Sequence, residues 1–184
     1  MNMTVLALLA ALVAPMAYAV EYRTMLPQQS SIHFEFRQMG VPVKGGFKRF
    51  TTQMTFDPAK PEAARAQIEI DLASIDAGSP EADEESAGKL WFNRSAYPKA
   101  TFVASQVRPL GNNRYELHGT LTLKGRSRDM VVPVTYTPGK SAATFDGGFV
   151  LKRLDFGIGE GMWADVATVA NEVQVRFRIA VTGK

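Results

Sequence analysis

Near the C-terminus, across residues 172–181, apolar and polar residues alternate one for one. Val173, Val175, Phe177, Ile179 and Val181 alternate with Glu172, Gln174, Arg176 and Arg178. A period of two predicts a β-strand with one dry and one wet face, and the dry face needs neighbours to cover it. The same alternation recurs upstream. Residues 31–38 put Ile32, Phe34 and Phe36 in phase. Gly40, Pro42 and the Gly45-Gly46 pair then interrupt the pattern. Residues 47–56 carry Phe50, Met54 and Phe56 on one face, and Asp57-Pro58 stops that strand because proline cannot donate to a ladder. Residues 66–72 place Ile68, Ile70 and Leu72 on one side.

The period then changes. Ser79 followed by Pro80 and Glu81 is a helix start: a capping hydroxyl, a proline at the first helical position and acidic residues in the first turn. The helix is expected to be short and to end near Trp91-Phe92, before Pro98. Strands return at residues 100–107, with Phe102, and after the Gly111-Asn112-Asn113 turn at residues 115–123, with Tyr115, Leu117, Leu121 and Leu123 in phase. Residues 129–137 align Met130, Val132, Val134 and Tyr136, and Pro133 on the other face predicts a bulge or an edge position. Residues 143–151 form a strand broken by glycine, and residues 155–169 read as a loop or short helix. Eight strands at turn-separated spacing with one short helix between them predict an all-β, antiparallel sandwich or barrel. Eight strands close on a space just wide enough for their own side chains or for one small ligand, and the period cannot say which.

The N-terminus is set apart from this pattern. Residues 5–13 are a short apolar run and Ala17-Tyr18-Ala19 is an A-x-A cleavage site, so residues 1–19 read as a signal peptide cleaved after Ala19. Residues 1–4 carry no Lys or Arg, so the terminal amine is the only positive charge ahead of the run. The run is shorter than a bilayer-spanning helix needs, and an uncleaved membrane anchor is the alternative reading. The rest, residues 20–184, is about one domain's worth of chain. At 46% hydrophobic residues it can bury a sizeable core, and with no cysteine it must do so without disulfides. The absence of cysteine also removes thiol chemistry and Cys-ligated metals. A net charge of +3 with interspersed signs does not suggest nucleic acid as a partner.

Candidate chemistry is sparse. His33 and His118 both fall on the polar phase of their strands, where solvated positions are expected rather than metal ligands. No G-x-S-x-G elbow accompanies them. Asp83, Glu84 and Glu85 extend the acidic start of the helix, which favours its N-terminus and lacks the spacing of a calcium loop. Gly157-Ile158-Gly159-Glu160-Gly161 lacks the Lys-Ser/Thr of a phosphate loop. Lys124, Arg126 and Arg128 form a basic cluster at a turn, expected to be solvated.

A set of short motifs follows in order. Ser31-Ile32 with Phe34, Gly40 with Gly46 and Phe50, and Phe56-Asp57-Pro58 come first. Gly88-Lys89 with Trp91-Phe92, Tyr97-Pro98 with Ala100-Thr101-Phe102, and Gly119 with Leu121-Thr122-Leu123 and Gly125 follow. Asp155-Phe156-Gly157-Ile158-Gly159, Trp163-Ala164-Asp165 and Glu172-Val173 complete the set. In this order, over about residues 22–182, the chain resembles the YceI-like, polyisoprenoid-binding family. Asn93 departs from the pattern, since an acidic residue commonly follows the Trp-Phe pair. The resemblance implies a single lipocalin-like antiparallel barrel, exported to the periplasm, that encloses a long isoprenoid chain such as the tail of ubiquinone. It also implies a tie to an inner-membrane b-type cytochrome, beside which some members are encoded or to which they are fused. No cofactor is required beyond such a bound lipid.

The candidate barrel wall is the dry phase of the strands together with the late aromatics. On the N-terminal half it comprises Phe34, Phe36, Phe50, Met54, Phe56, Ile70, Trp91, Phe92 and Phe102. On the C-terminal half it comprises Leu121, Val132, Val134, Phe149, Phe156, Trp163, Val173, Val175 and Phe177. Burial of a prenyl chain, at roughly 0.8 kcal/mol per CH₂, needs no charge and no catalytic group, so a non-catalytic binding protein is expected. Two alternatives stand beside it: an isomerase or dehydratase using the same cavity, which would need an acid/base pair in the apolar phase, and a packed barrel that acts through its outer surface.

Overall fold

The computed structural model describes residues 21–140 and 142–183, so the expected signal peptide lies outside the described residues. Eleven strands form one antiparallel, strongly curled sheet. They are β1 (Tyr22–Met25), β2 (Ser31–Gln38), β3 (Val41–Phe47), β4 (Phe50–Thr55), β5 (Arg65–Asp71), β6 (Ile75–Asp76), β7 (Lys99–Gly111), β8 (Arg114–Leu123), β9 (Arg126–Thr137), β10 (Ala143–Lys152) and β11 (Glu172–Gly183). Neighbours run β4-β5-β7-β8-β9-β10-β11-β2-β3-β6, and β1 also pairs with β11. The eight expected strands are all present. The three additions explain themselves: β1 and β6 are too short to show a period, and Pro42 with Gly45-Gly46 disguises β3 as a turn.

The strand that set the pattern, β11, is the seam of the fold. Its first part pairs with β2, from Gln174 opposite Glu35 to Arg178 opposite Ser31. Its last part pairs with β1, Val181 opposite Met25. Between them the chain makes a 3₁₀ turn, Pro27–Gln29, and the gap in the ladder is filled: Ala180 N donates to Ser30 Oγ (3.0 Å) and Leu26 N to Ala180 O (2.8 Å). Tyr22 and Phe56 exchange both backbone hydrogen bonds, at 2.9 and 3.2 Å, which ties β1 to the end of β4. The sheet therefore closes at this end. At the other end β3 is joined to β6 through Gly46 and Phe47. Between these two ties, β2–β3 and β4–β5 diverge and leave a cleft in the side of the wall.

Two clusters of buried residues lie toward the two ends. At the β1 end, Phe56 packs against Tyr115, Tyr136 and Phe145 with ring centroids 5.4, 5.1 and 5.0 Å away, and Tyr136 Oη donates to Tyr22 Oη (3.1 Å). This is an aromatic plug whose polar tips satisfy each other. At the opposite end Leu72, Ala100, Leu121, Leu123, Phe156 and Ile158 pack together. The helix α1 (Pro80–Ala87) lies at that end, with Ser79 Oγ accepting from Ala82 N (3.2 Å) as its cap. It is shorter than expected and stops at Gly88. Residues 91–97 instead turn tightly, with Asn93 in the left-handed region (φ 49°) that asparagine tolerates better than most residues. Pro133 causes no bulge: the β9–β10 ladder ends at Val134, so the proline sits where β10 has already left it.

Candidate functional site: the barrel interior

Three aromatic rings of the dry face lie against glycines of the adjoining strand. Phe34 lies over Gly45, Phe102 over Gly119 and Phe177 over Gly147, so close that a methyl group at any of these glycines would collide with the ring. Each ring is thereby held along the wall instead of projecting across the interior. The result is a space where a packed core would otherwise be.

That space has two adjoining chambers whose linings share Ile32, Ile70, Leu121, Phe149 and Val175. The larger, of about 500 Å³, lies toward α1. The smaller, of about 110 Å³, runs down to the aromatic plug. A cavity of a few hundred Å³ with apolar walls and a few polar groups at one end is the usual form of a small-molecule site. The side cleft is larger, about 930 Å³, but its rim is polar. Lys48–Asp76 (2.9 Å), Arg49–Asp71 (2.8 Å) and Lys99–Glu69 (2.7 Å) are ion pairs along it. A hydrocarbon chain is better accommodated inside.

The expected wall residues fall in definite places. Phe34, Phe36, Trp91, Phe92, Trp163 and Val173 line the larger chamber. Met54, Phe56, Phe102, Val132, Val134 and Phe177 line the smaller, while Ile70, Leu121, Phe149 and Val175 belong to both. Two stand elsewhere. Phe50 opens β4 at the point where the wall divides, and it lines the side cleft. Phe156 lies in a 3₁₀ turn (Arg153–Phe156), where its ring is buried in the core cluster. The lining also includes residues outside the expected wall: Ile32 and Ile179 lie on the dry phase of their strands, Phe47 is out of phase with Phe50, Met54 and Phe56, and Val43 is masked by Pro42.

The polar end of the larger chamber is built around Arg153, which is 1% exposed. All its N–H groups meet backbone carbonyls. Nε donates to Ala170 O (3.0 Å), Nη1 to Ile158 O and Gly159 O (2.8 Å each), and Nη2 to Trp163 O (2.8 Å) and Val169 O (2.6 Å). One side chain thus gathers residues 158–170 over the end of the barrel. Burial pulls its guanidinium below the ordinary value. The glycine run follows from this arrangement: Gly159 has φ +71°, and a side chain there would strike the Arg153 guanidinium. Trp163 lies 5.6 Å from Trp91 ring to ring, and its Nε1 donates to Glu85 Oε1 (3.0 Å) on α1. Trp91 Nε1 is buried with no hydrogen-bond partner among the described residues.

The remaining candidates resolve simply. His33 lies on the exposed side of β2, and His118 on β8 stands 3.5 Å from Glu116; four steps of the sheet order separate the two strands. Among the described residues no group of three or more His, Asp or Glu is placed to hold a metal ion. In the basic cluster Arg126 and Arg128 are exposed as expected, while the Lys124 side chain departs from that expectation and is largely buried. Lys124 donates to Gly157 O and to Glu160 (3.0 Å), Arg126 to Glu160 (3.0 Å) and Arg128 to Asp155 O (3.2 Å). Together they fasten the Arg153 loop to the β8–β9 turn, and they hold the Glu160 carboxyl below the usual carboxylate range.

A curled antiparallel wall, plugged at one end and enclosing an apolar space, defines the class of β-barrels with an interior cavity. The chain belongs to the YceI-like family: the YceI-like domain matches residues 24–181. A UPF0312 protein of Pseudomonas savastanoi is 31% identical over 138 residues, covering 71% of this chain and 72% of that protein. Burkholderia cenocepacia BcnA superposes with a TM-score of 0.83 at 42% identity, over 86% of this chain and 99% of that one. A polyisoprenoid-binding domain from Saccharophagus degradans shares the fold, with a TM-score of 0.70 at 15% identity over 91% of this chain and all (100%) of that one.

Proposed function

We propose that this protein encloses the hydrocarbon chain of an isoprenoid lipid, of the quinone or polyprenol kind, and carries or sequesters it without transforming it. The observation that carries the proposal is the apolar interior, two adjoining chambers with Ile32, Ile70, Leu121, Phe149 and Val175 in both linings. Kinship with the YceI-like family supports it, as does the shared fold of the polyisoprenoid-binding domain. At roughly 0.8 kcal/mol per buried CH₂, a few isoprene units offset the several kcal/mol lost on association. The tail enters first and rests against the Phe56 plug, and the head stays near α1. The signal-like residues 1–19 support export, which would place the carrier in the periplasm. There an inner-membrane b-type cytochrome is the partner that a quinone carrier would serve.

The test is to purify the mature protein from its native host, extract it with organic solvent and identify the lipids by mass spectrometry. A polyisoprenoid in near-stoichiometric amount is expected. A clean extract, together with no binding of added ubiquinone or polyprenol, would overturn the proposal. Fractionation of the same cells should place the protein with periplasmic markers.

A further inference from the structure

The charge at the mouth of the cavity sets which head groups it admits. Two carboxylates of α1, Glu81 and Glu85, belong to the lining of the larger chamber. Glu84 and Asp83 on the same helix add to the negative field. Glu81 is held below the usual carboxylate range by its own backbone N–H and by the Ser79 hydroxyl, so it is charged at neutral pH. The lining contains one buried cation, Arg153, the side chain that would ordinarily grip a phosphate. Its donors are already spent on the carbonyls of Ala170, Ile158, Gly159, Trp163 and Val169. The other basic side chain of the lining, His33, belongs to the solvent-exposed side of β2. The smaller chamber ends in the aromatic plug and offers a head group no charged partner there.

We infer that the cavity selects isoprenoids with uncharged heads, such as alcohols, quinols and quinones, and rejects phosphate and pyrophosphate esters of the same chain. This deepens the proposed function and rests on that reading. A hydroxyl at the mouth can donate to Glu81 or Glu85. A phosphate there would face carboxylates and find no free N–H of Arg153, only the single neutral indole N–H of Trp91. Like charges held near a low-dielectric wall repel more strongly than they do in water.

The test compares geranylgeraniol with geranylgeranyl phosphate, two ligands of one chain length, by calorimetric titration of the mature protein. The alcohol should bind at least about tenfold more tightly at low salt, and the ratio should narrow as ionic strength rises. The E81Q/E85Q double variant should narrow the ratio further, since glutamine keeps the acceptor for Trp163 Nε1 and removes the charge. Equal or tighter binding of the phosphate would overturn the inference, as would a ratio that neither salt nor the double variant changes. If neither ligand binds, the carrier reading itself falls, and this one with it.

Discussion

Val175 sits opposite Phe34 on one neighbouring strand and Phe149 on the other, and it lines both chambers. Replacing it with tryptophan would set an indole at the boundary the two chambers share. The smaller chamber, of about 110 Å³, would then be lost to a ligand entering from α1. At roughly 30 Å³ per water-sized group that chamber holds about four methylene-sized groups. At about 0.8 kcal/mol each, excluding them costs about 3 kcal/mol, or roughly a hundredfold in Kd. Because the indole has space to enter, the fold should lose less than the 1–3 kcal/mol typical of overpacking. Titration with ubiquinone or a polyprenol gives the first quantity and urea unfolding gives the second. A Val175→Trp protein that unfolds several kcal/mol more easily, yet binds the ligand as before while folded, would show the interior to be packed and the reasoning wrong.

Other substitutions probe the supports of the cavity. Arg153→Met strands five backbone carbonyls and should cost at least about 3 kcal/mol, since each buried acceptor left without a donor costs about 1–3 kcal/mol. Hydrogen exchange should rise first across residues 158–170. Gly147→Ala pushes the Phe177 ring toward the smaller chamber, so relative affinities measured by titration should shift toward shorter chains. Tyr136→Phe removes the hydrogen bond to Tyr22 and should cost about 1 kcal/mol in urea unfolding. In the parent protein, burial holds the Tyr136 phenol above its usual range, so ultraviolet titration should find it protonated where exposed tyrosines ionise. The Asp71 carboxyl is held below its ordinary value by the Ala73 N–H and by Arg49. Its folded-state pKa is depressed, so its contribution is present above about pH 4 and lost as pH falls through the folded value. Asp71→Asn should flatten that part of the acid-unfolding curve.

Most of the wall was legible because a strand with one dry face must alternate. The β11 pattern from Val173 to Val181 located both the seam and several lining residues. The eye misses strands when they are too short, as with β6, or punctuated, as with β3, where Pro42 and Gly45-Gly46 look like turns. Gly45 is in fact required, because the ring of Phe34 occupies the place of its side chain. The same contact explains why the cavity could not be read from the chain alone. Period two tells which residues face inward. Whether they meet depends on where each ring lies relative to a glycine on the paired strand, which only the register between strands fixes. Arg153 was invisible for a related reason: its partners are carbonyls, which have no residue signature. Phe156 was misplaced because an aromatic in a short 3₁₀ turn follows no strand phase.

The central claim is that a hydrocarbon chain lies within the sheet, and a crystal structure of the protein with a bound C20–C40 polyprenol tests it most directly. The account predicts continuous density from the Trp91–Trp163 end, past Ile32 and Val175, to the ring of Phe56. Density confined to the charged side cleft or to the outer face, with the interior unchanged, would contradict it.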